Sequence, residues 1–301
     1  MITNEPSPLQ NETSLDPAIL PEHKYPAPQI VVTTQENAWW ELGKAILAWV
    51  ASVALLLFVP LLIILPYFLY LFANSGALTA EALSQDKTFL LLSIVGVIPA
   101  HALTLVAVWA LVTRWGRKPF WQTLRFSWPP GVSPWLGVVF CALIAVVLLV
   151  AGYVITIFLG GGKTDLDRLI ESSYQARLAT AFLAVATAPL VEEIIYRGML
   201  YPALQRVIGM GGAIAVVSIM FAGVHVLQYR NNIGVIAVIT LLSVSLTVVR
   251  ALSDRLLPSV IIHLVFNGLQ SLYLILQPLI EKTQKVEPAP ALICRALHHL
   301  F

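Results

Sequence analysis

The chain alternates long apolar runs with short polar breaks, and the runs set the elements. Seven stretches are apolar enough and long enough, at about 20 residues each, to cross a bilayer as helices. They fall at about 44–73, 88–113, 135–160, 178–205, 212–228, 233–249 and 257–280. No period-two alternation of the barrel kind runs through them, and a helix satisfies its own backbone where water is absent. The pattern predicts an all-α, polytopic transmembrane helical bundle of seven or eight spans.

Outside the runs, residues 1–38 are polar and carry Pro6, Pro8, Pro17, Pro21, Pro26 and Pro28, which predicts a disordered tail. The tail lacks a basic stretch leading into an apolar core, so it is not a secretory signal. Asn11, Glu12 and Thr13 form a glycosylation sequon that is read as chance. Trp39 and Trp40 suit an interfacial anchor ahead of the first span. Spans within 39–177 form an N-terminal membrane region, 178–280 a transmembrane core, and 281–301 a short C-terminal tail whose end does not match a prenylation signal.

Composition narrows the class. The 301 residues are 58% hydrophobic and 11% charged, with a formal net charge of +2. That charge is too small to argue for nucleic acid as a partner, and the cations lie between spans, where topology explains them. Arg114, Arg117, Lys118 and Arg125 make the loop between the second and third spans cytoplasmic. The N-terminus is then inside, and the loop holding Asp165, Asp167 and Glu171 outside. The protein is expected in the plasma or inner membrane of a prokaryote, or in the endoplasmic reticulum of a eukaryote. Cys141 in an apolar run and Cys294 in the tail indicate neither a disulfide framework nor a thiolate metal site.

Against this background the run AVATAPLVEEIIYRGMLYPAL, Ala184–Leu204, stands out, since it sets Glu192, Glu193 and Arg197 in a helix apolar enough for lipid. An ionised side chain there costs about 2.5 to 3.5 kcal/mol on insertion scales. Glu193 and Arg197 lie one turn apart and can pair, whereas Glu192 points about 100° away and stays available. An ion pair serving only helix packing leaves that second carboxylate unexplained. Later spans add Phe221 and His225, then His263 and Asn267, each pair one turn apart on one face. His101 in the second span has no acidic or histidine neighbour in sequence and reads as a hydrogen-bonded packing residue.

Glu192, Glu193, His225, His263 and Asn267 are therefore expected to converge on one wet cavity inside the bundle. Glutamate and histidine can deprotonate a water, and histidine with an asparagine amide can stabilise an oxyanion, which together suit amide hydrolysis. The alternative is a divalent metal, zinc by ligand type, held by His225, His263 and Glu192 from different helices. The HExxH spacing of soluble zinc proteases is absent, as is any serine or cysteine nucleophile motif.

The motifs EExxxR at Glu192–Arg197, FxxxH at Phe221–His225 and HxxxN at His263–Asn267, in that order, resemble the CPBP family of intramembrane proteases. This family joins type II CaaX prenyl endopeptidases with bacteriocin-processing and self-immunity proteins, the Abi family. The run from Arg250 to His263 also resembles the family's lead-in to its last motif. Where many members have a threonine-glycine-serine turn, this chain has Ser253, Asp254 and Arg255.

The resemblance, over about residues 178–275, implies Glu192 as general base on water, with His225 assisting or binding metal. It implies Glu193 and Arg197 as braces, and His263 and Asn267 as oxyanion donors or metal ligands. A zinc protease and a metal-free, glutamate-activated one both stand. The implied substrate is a membrane-associated peptide or lipidated protein, either a prenylated CaaX tail or a leader or signalling peptide. Membrane lipid is the other partner. A non-catalytic scaffold or immunity protein, and a transporter, are the competing classes. No internal repeat of the transporter kind is visible. With straight spans, Glu192, His225 and His263 sit at different depths. Tilt, a shifted boundary or a re-entrant segment near Gln228–Asn232 is needed to bring them together.

Overall fold

A computed structural model describes residues 35–75 and 79–284. The expected N-terminal tail up to residue 34, and the C-terminal tail from 285, lie outside the described residues. Helix begins at Gln35, so the last four residues assigned to the tail are helical instead. They open a 41-residue helix to Ser75, and Ala38 and Leu42 are already buried against the bundle.

The protein is all helical among the described residues and has six segments long and apolar enough to cross a membrane. These are Asn37–Asn74, Lys87–Thr113, Pro134–Leu159, Tyr174–Val226, Ile233–Ser253 and Leu257–Pro278. Only 17% to 33% of the most apolar window of each is buried, so most of its apolar surface faces outward. Phe58, Leu61, Phe140, Val147 and Phe158 are all on that outer surface. A surface of this kind is covered by lipid, and the chain is an integral, multi-pass membrane protein.

The count of six long apolar segments does not by itself give the expected seven or eight passes. The difference lies in Tyr174–Val226, whose 53 residues take in both the fourth and fifth expected spans. A straight helix of that length would extend about 80 Å at 1.5 Å per residue. It is not straight. Gly209 has φ 74° and ψ 174°, a conformation open to glycine and closed to residues with a Cβ. The chain turns back there, so that the rings of Tyr196 and Phe221, on opposite sides of Gly209, lie 5.0 Å apart and edge to face. A forward arm and a return arm are thus packed side by side.

Local chemistry explains the other boundaries. Asp86 caps the helix that starts at Lys87 by accepting from the Phe89 amide, and Asn232 caps Ile233–Ser253 by accepting from the Val235 amide. The chain passes from the return arm to that helix by a short turn at Arg230 and Asn231, and no re-entrant segment forms near Gln228. Gly96 interrupts the second segment where it crosses the first. A Cβ there would meet the Pro60 Cα at 2.8 Å, so backbone contacts backbone.

The core lies around the two arms. Ile194, Leu200, Tyr201, Val217, Phe221 and Leu256 are almost completely buried in one cluster. A second cluster packs Leu242, Leu246, Ile262 and Phe266 against Cys141 and Ala145 of the third segment. Between these clusters the last two segments meet the forward arm, and there the polar residues gather.

Candidate active site

The forward arm is not a uniform α-helix. Two wide, π-helical stretches, Leu183–Thr187 and Ile194–Leu200, enclose a six-residue α-helix, Ala188–Glu193. Pro189 accounts for part of this, because it has no amide hydrogen to give to the preceding turn. A π turn breaks the regular i to i+4 ladder, and such turns gather at functional sites. Two polar side chains from other segments dock on the first wide stretch. Asn267 donates from Nδ2 to the Ala184 carbonyl at 2.9 Å, and His101 Nδ1 lies 2.8 Å from Thr187 Oγ1. His101 is thus the hydrogen-bonded packing histidine that its sequence surroundings indicate.

Glu193 and Arg197 form the expected one-turn pair, with Nη1 to Oε1 at 2.9 Å and both side chains wholly buried. Arg197 is held on its other edges too. Nη2 donates to the Ser243 carbonyl at 3.0 Å and to Ser243 Oγ at 2.7 Å, and Nε donates to Thr247 Oγ1 at 3.2 Å. Its guanidinium also lies 4.7 Å from the Phe221 ring centroid, a cation–π contact. A buried charge needs this degree of satisfaction to be tolerated. Arg250 completes the brace by donating from Nε to the Arg197 carbonyl at 3.1 Å.

His263 joins the pair from the last segment. Its Nδ1 is 3.0 Å from Glu193 Oε1, and its Nε2 is 3.7 Å from Glu192 Oε2. Glu193, held as a carboxylate by Arg197, accepts from Nδ1–H, which turns Nε2 toward Glu192. Glu192 keeps 23% of its side chain exposed, whereas Glu193 is fully enclosed. The two adjacent carboxylates therefore have different surroundings, one sealed into the brace and one open to an incoming molecule.

His225 approaches through Phe221. The His225 and Phe221 rings are 4.9 Å apart, and the Phe221 and His263 rings 6.1 Å apart. His225 Nδ1 sits 2.8 Å from its own helix's Phe221 carbonyl, and this fixes Nδ1 as the protonated nitrogen and leaves Nε2 as an acceptor. Tyr229 stacks one turn further on, with centroids 6.3 Å apart. Burial first, and then the nearby negative charges of Glu192 and Asp167, push the Tyr229 phenol well above its usual range.

The structure thus brings Glu193, Arg197 and His263 into direct contact, with Glu192 3.7 Å from His263. It sets His225 across one aromatic ring and Asn267 one turn from His263. Among the described residues, no three His, Cys, Asp or Glu side chains are gathered closely enough to hold a metal ion. The trio Glu192, His225 and His263 has the donor types of a zinc site but is not assembled as a ligand set.

Ser243 and Thr247 escaped the sequence reading, and Arg250 entered it only as the start of the run leading to His263. Their signal was present, since the three sit at i, i+4 and i+7 on one face of an otherwise apolar helix. Trp49, which donates from Nε1 to the Tyr196 hydroxyl at 3.0 Å, gave no comparable signal.

A carboxylate–histidine–arginine cluster thus lies inside a lipid-facing bundle. Residues 174–269 match the family model described as type II CAAX prenyl endopeptidase Rce1-like, the protease family that the three motifs resemble. No curated protein and no solved structure matches the chain. The matched stretch contains all six residues singled out from the motifs.

Proposed function

We propose that this protein is an intramembrane endopeptidase that hydrolyses a peptide bond in a membrane-associated substrate, either a prenylated CaaX-type tail or a leader or signalling peptide. The observation that carries the reading is the division of labour between the two glutamates. Glu193 is sealed against Arg197 and His263, and Glu192 remains accessible beside His263 Nε2.

Glu192 takes a proton from water, aided by the acceptor Nε2 of His225, and the hydroxide adds to the scissile carbonyl. The oxyanion that forms takes hydrogen bonds from Asn267 Nδ2, which has a second hydrogen besides the one given to Ala184, and from His263. With Nδ1–H committed to Glu193, the bond from His263 to the oxyanion is given by Nε2–H, the edge that faces Glu192. Glu192 then passes its proton to the leaving amine as the C–N bond breaks.

The test is cleavage of a panel of prenylated and unmodified peptides by purified protein, wild type beside Glu192→Gln. Loss of cleavage in a variant that stays folded supports the protease. Cleavage retained by Glu192→Gln overturns the assignment, and elemental analysis of both proteins separates zinc-assisted from glutamate-only activation of the water.

A further inference from the structure

A second site lies at the opposite end of the brace. A cavity of about 270 Å³ is lined by six cationic side chains, Lys44, Arg114, Lys118, Arg125, Arg206 and Arg250, and by two carboxylates, Glu41 and Asp254. These residues come from the start of the first segment, the loop after the second, the end of the forward arm and the end of the fifth segment. All are ends that the charge pattern places on the cytoplasmic side.

The carboxylates are already engaged. Glu41 pairs with Lys44 at 2.8 Å, and Asp254 pairs with both Arg125 and Arg250. By contrast, the side chains of Arg114, Lys118 and Arg206 make no ion pair or hydrogen bond among the described residues. Two helices end at the rim, at Arg114 and Asp254, and each C-terminus contributes about half a negative charge. Two such ends and two carboxylates balance about three of the six cations, which leaves about three positive charges unmatched. Topology asks only that these residues lie on one side of the membrane. It does not ask them to face one another across a cavity, where like charges repel.

The backbone is also held in unusual conformations at this place. Among the described residues four non-glycine residues have positive φ, and three of them, Arg114, Arg125 and Asp254, line the cavity. Conformations of this kind persist where the surroundings hold them, and they collect at ligand-binding sites. The loop is tied in place by the Leu256 amide, which donates to the Arg125 carbonyl at 3.0 Å.

We infer that this cavity is a binding site for a phosphate-bearing anion at the cytoplasmic membrane interface. Its volume is just under the range of small-molecule pockets, about 300–1,000 Å³, and suits a phosphate headgroup while leaving acyl chains to the bilayer. Fixed guanidinium groups match phosphate geometry better than flexible ammonium groups do, and four of the six cations are arginines. Arg250 lines the cavity and also holds the Arg197 carbonyl, so the bound anion rests on the outer end of the active-site brace.

The experiment measures thermal unfolding of the full-length protein in neutral detergent during titration with short-chain phosphatidylglycerol, phosphatidylcholine or inorganic phosphate. The expected result is a saturable rise in melting temperature with phosphatidylglycerol and none with phosphatidylcholine. Inorganic phosphate acting alone would make free phosphate the source of the same chemistry. The combined variant Arg114→Gln, Lys118→Gln, Arg206→Gln should bind about a hundredfold more weakly, and Arg206→Gln alone about fivefold, the latter serving if the triple variant does not fold. A control with equal charge removed elsewhere, Lys87→Gln, Lys163→Gln and Arg177→Gln, should bind as wild type. The inference fails if phosphatidylglycerol and phosphate both act no differently from phosphatidylcholine, or if the control weakens binding as much as the cavity variant.

Discussion

Glu193 and His263 meet 3.0 Å apart, Oε1 to Nδ1, although seventy residues separate them in sequence and both are buried. The contact ties the last segment to the forward arm and fixes the face of the imidazole. It also leaves the two neighbouring glutamates in unlike surroundings, one enclosed and one partly exposed, and the two should respond differently to the same substitution.

Glu193→Gln leaves Arg197 as a buried cation without its carboxylate, a change that costs about 3 to 5 kcal/mol when a buried pair is broken. The expected outcome is less folded protein and a clearly lower melting temperature in detergent. Size-exclusion profiles and thermal unfolding check it.

Glu192→Gln keeps the shape of a partly exposed side chain that only approaches His263. Folding should be unchanged, and single-turnover cleavage should fall by about 10²- to 10⁴-fold, the usual contribution of a general base. Pairing this measurement with the Glu193 variant separates chemistry from scaffolding.

Ser243→Ala removes the hydroxyl that takes one Nη2 hydrogen bond, while the Ser243 carbonyl stays beside the same nitrogen. A loss of about 1.5 to 3 kcal/mol is expected for a hydrogen bond to a charged group, smaller than the effect of Glu193→Gln. The order of the two melting temperatures is the check.

Gly209→Ala places a Cβ at φ 74°, ψ 174°, where only glycine is at ease. No neighbour obstructs that Cβ, so the penalty is purely conformational, about 1 to 3 kcal/mol. The variant should melt earlier, whereas Gly211→Ala, at a glycine with a negative φ and open space around it, should not.

Asp254 supplies the pH dependence. Burial by itself raises its carboxyl, but hydrogen bonds from Arg125 and Arg250, with their charges, outweigh this and hold it below the usual value. A lowered folded value means the stabilisation is complete above about pH 3.9, the ordinary aspartate value, and is lost as pH falls through the folded value. The side chain is 62% exposed, so the effect is small. Asp254→Asn should flatten that acid limb in unfolding scans.

The motif residues were legible because ionisable groups are costly in lipid. Glu192, Glu193 and Arg197 in an apolar helix stand out against any neutral background, and His225, His263 and Asn267 repeat the signal on two further helices. The fold class followed from the length of the apolar runs. What periodicity could not supply was the path of the forward arm. Its turn at Gly209 is a single residue's conformation, and its wide turns depend on hydrogen-bond partners from remote helices, Asn267 for Ala184 and His101 for Thr187. The approach of His225 to His263 through Phe221 likewise depends on how the two arms pack. Ser243 and Thr247 were overlooked because hydroxyls are common and inexpensive in membrane helices, where they return a hydrogen bond to their own backbone, as Thr247 does to the Ser243 carbonyl at 2.7 Å.

The wide turns on either side of Ala188–Glu193 make the site sensitive to counting. Removing one residue from the α-helical stretch between them would shorten the arm by only about 1.5 Å, yet it would rotate everything beyond the deletion by about 100° relative to everything before it. Glu193 could not then face His263 while Ala184 faced Asn267. The register of the site is stored in the number of residues between two docking points, so a single-codon deletion that scarcely alters the thickness of the bundle would uncouple one half of the site from the other.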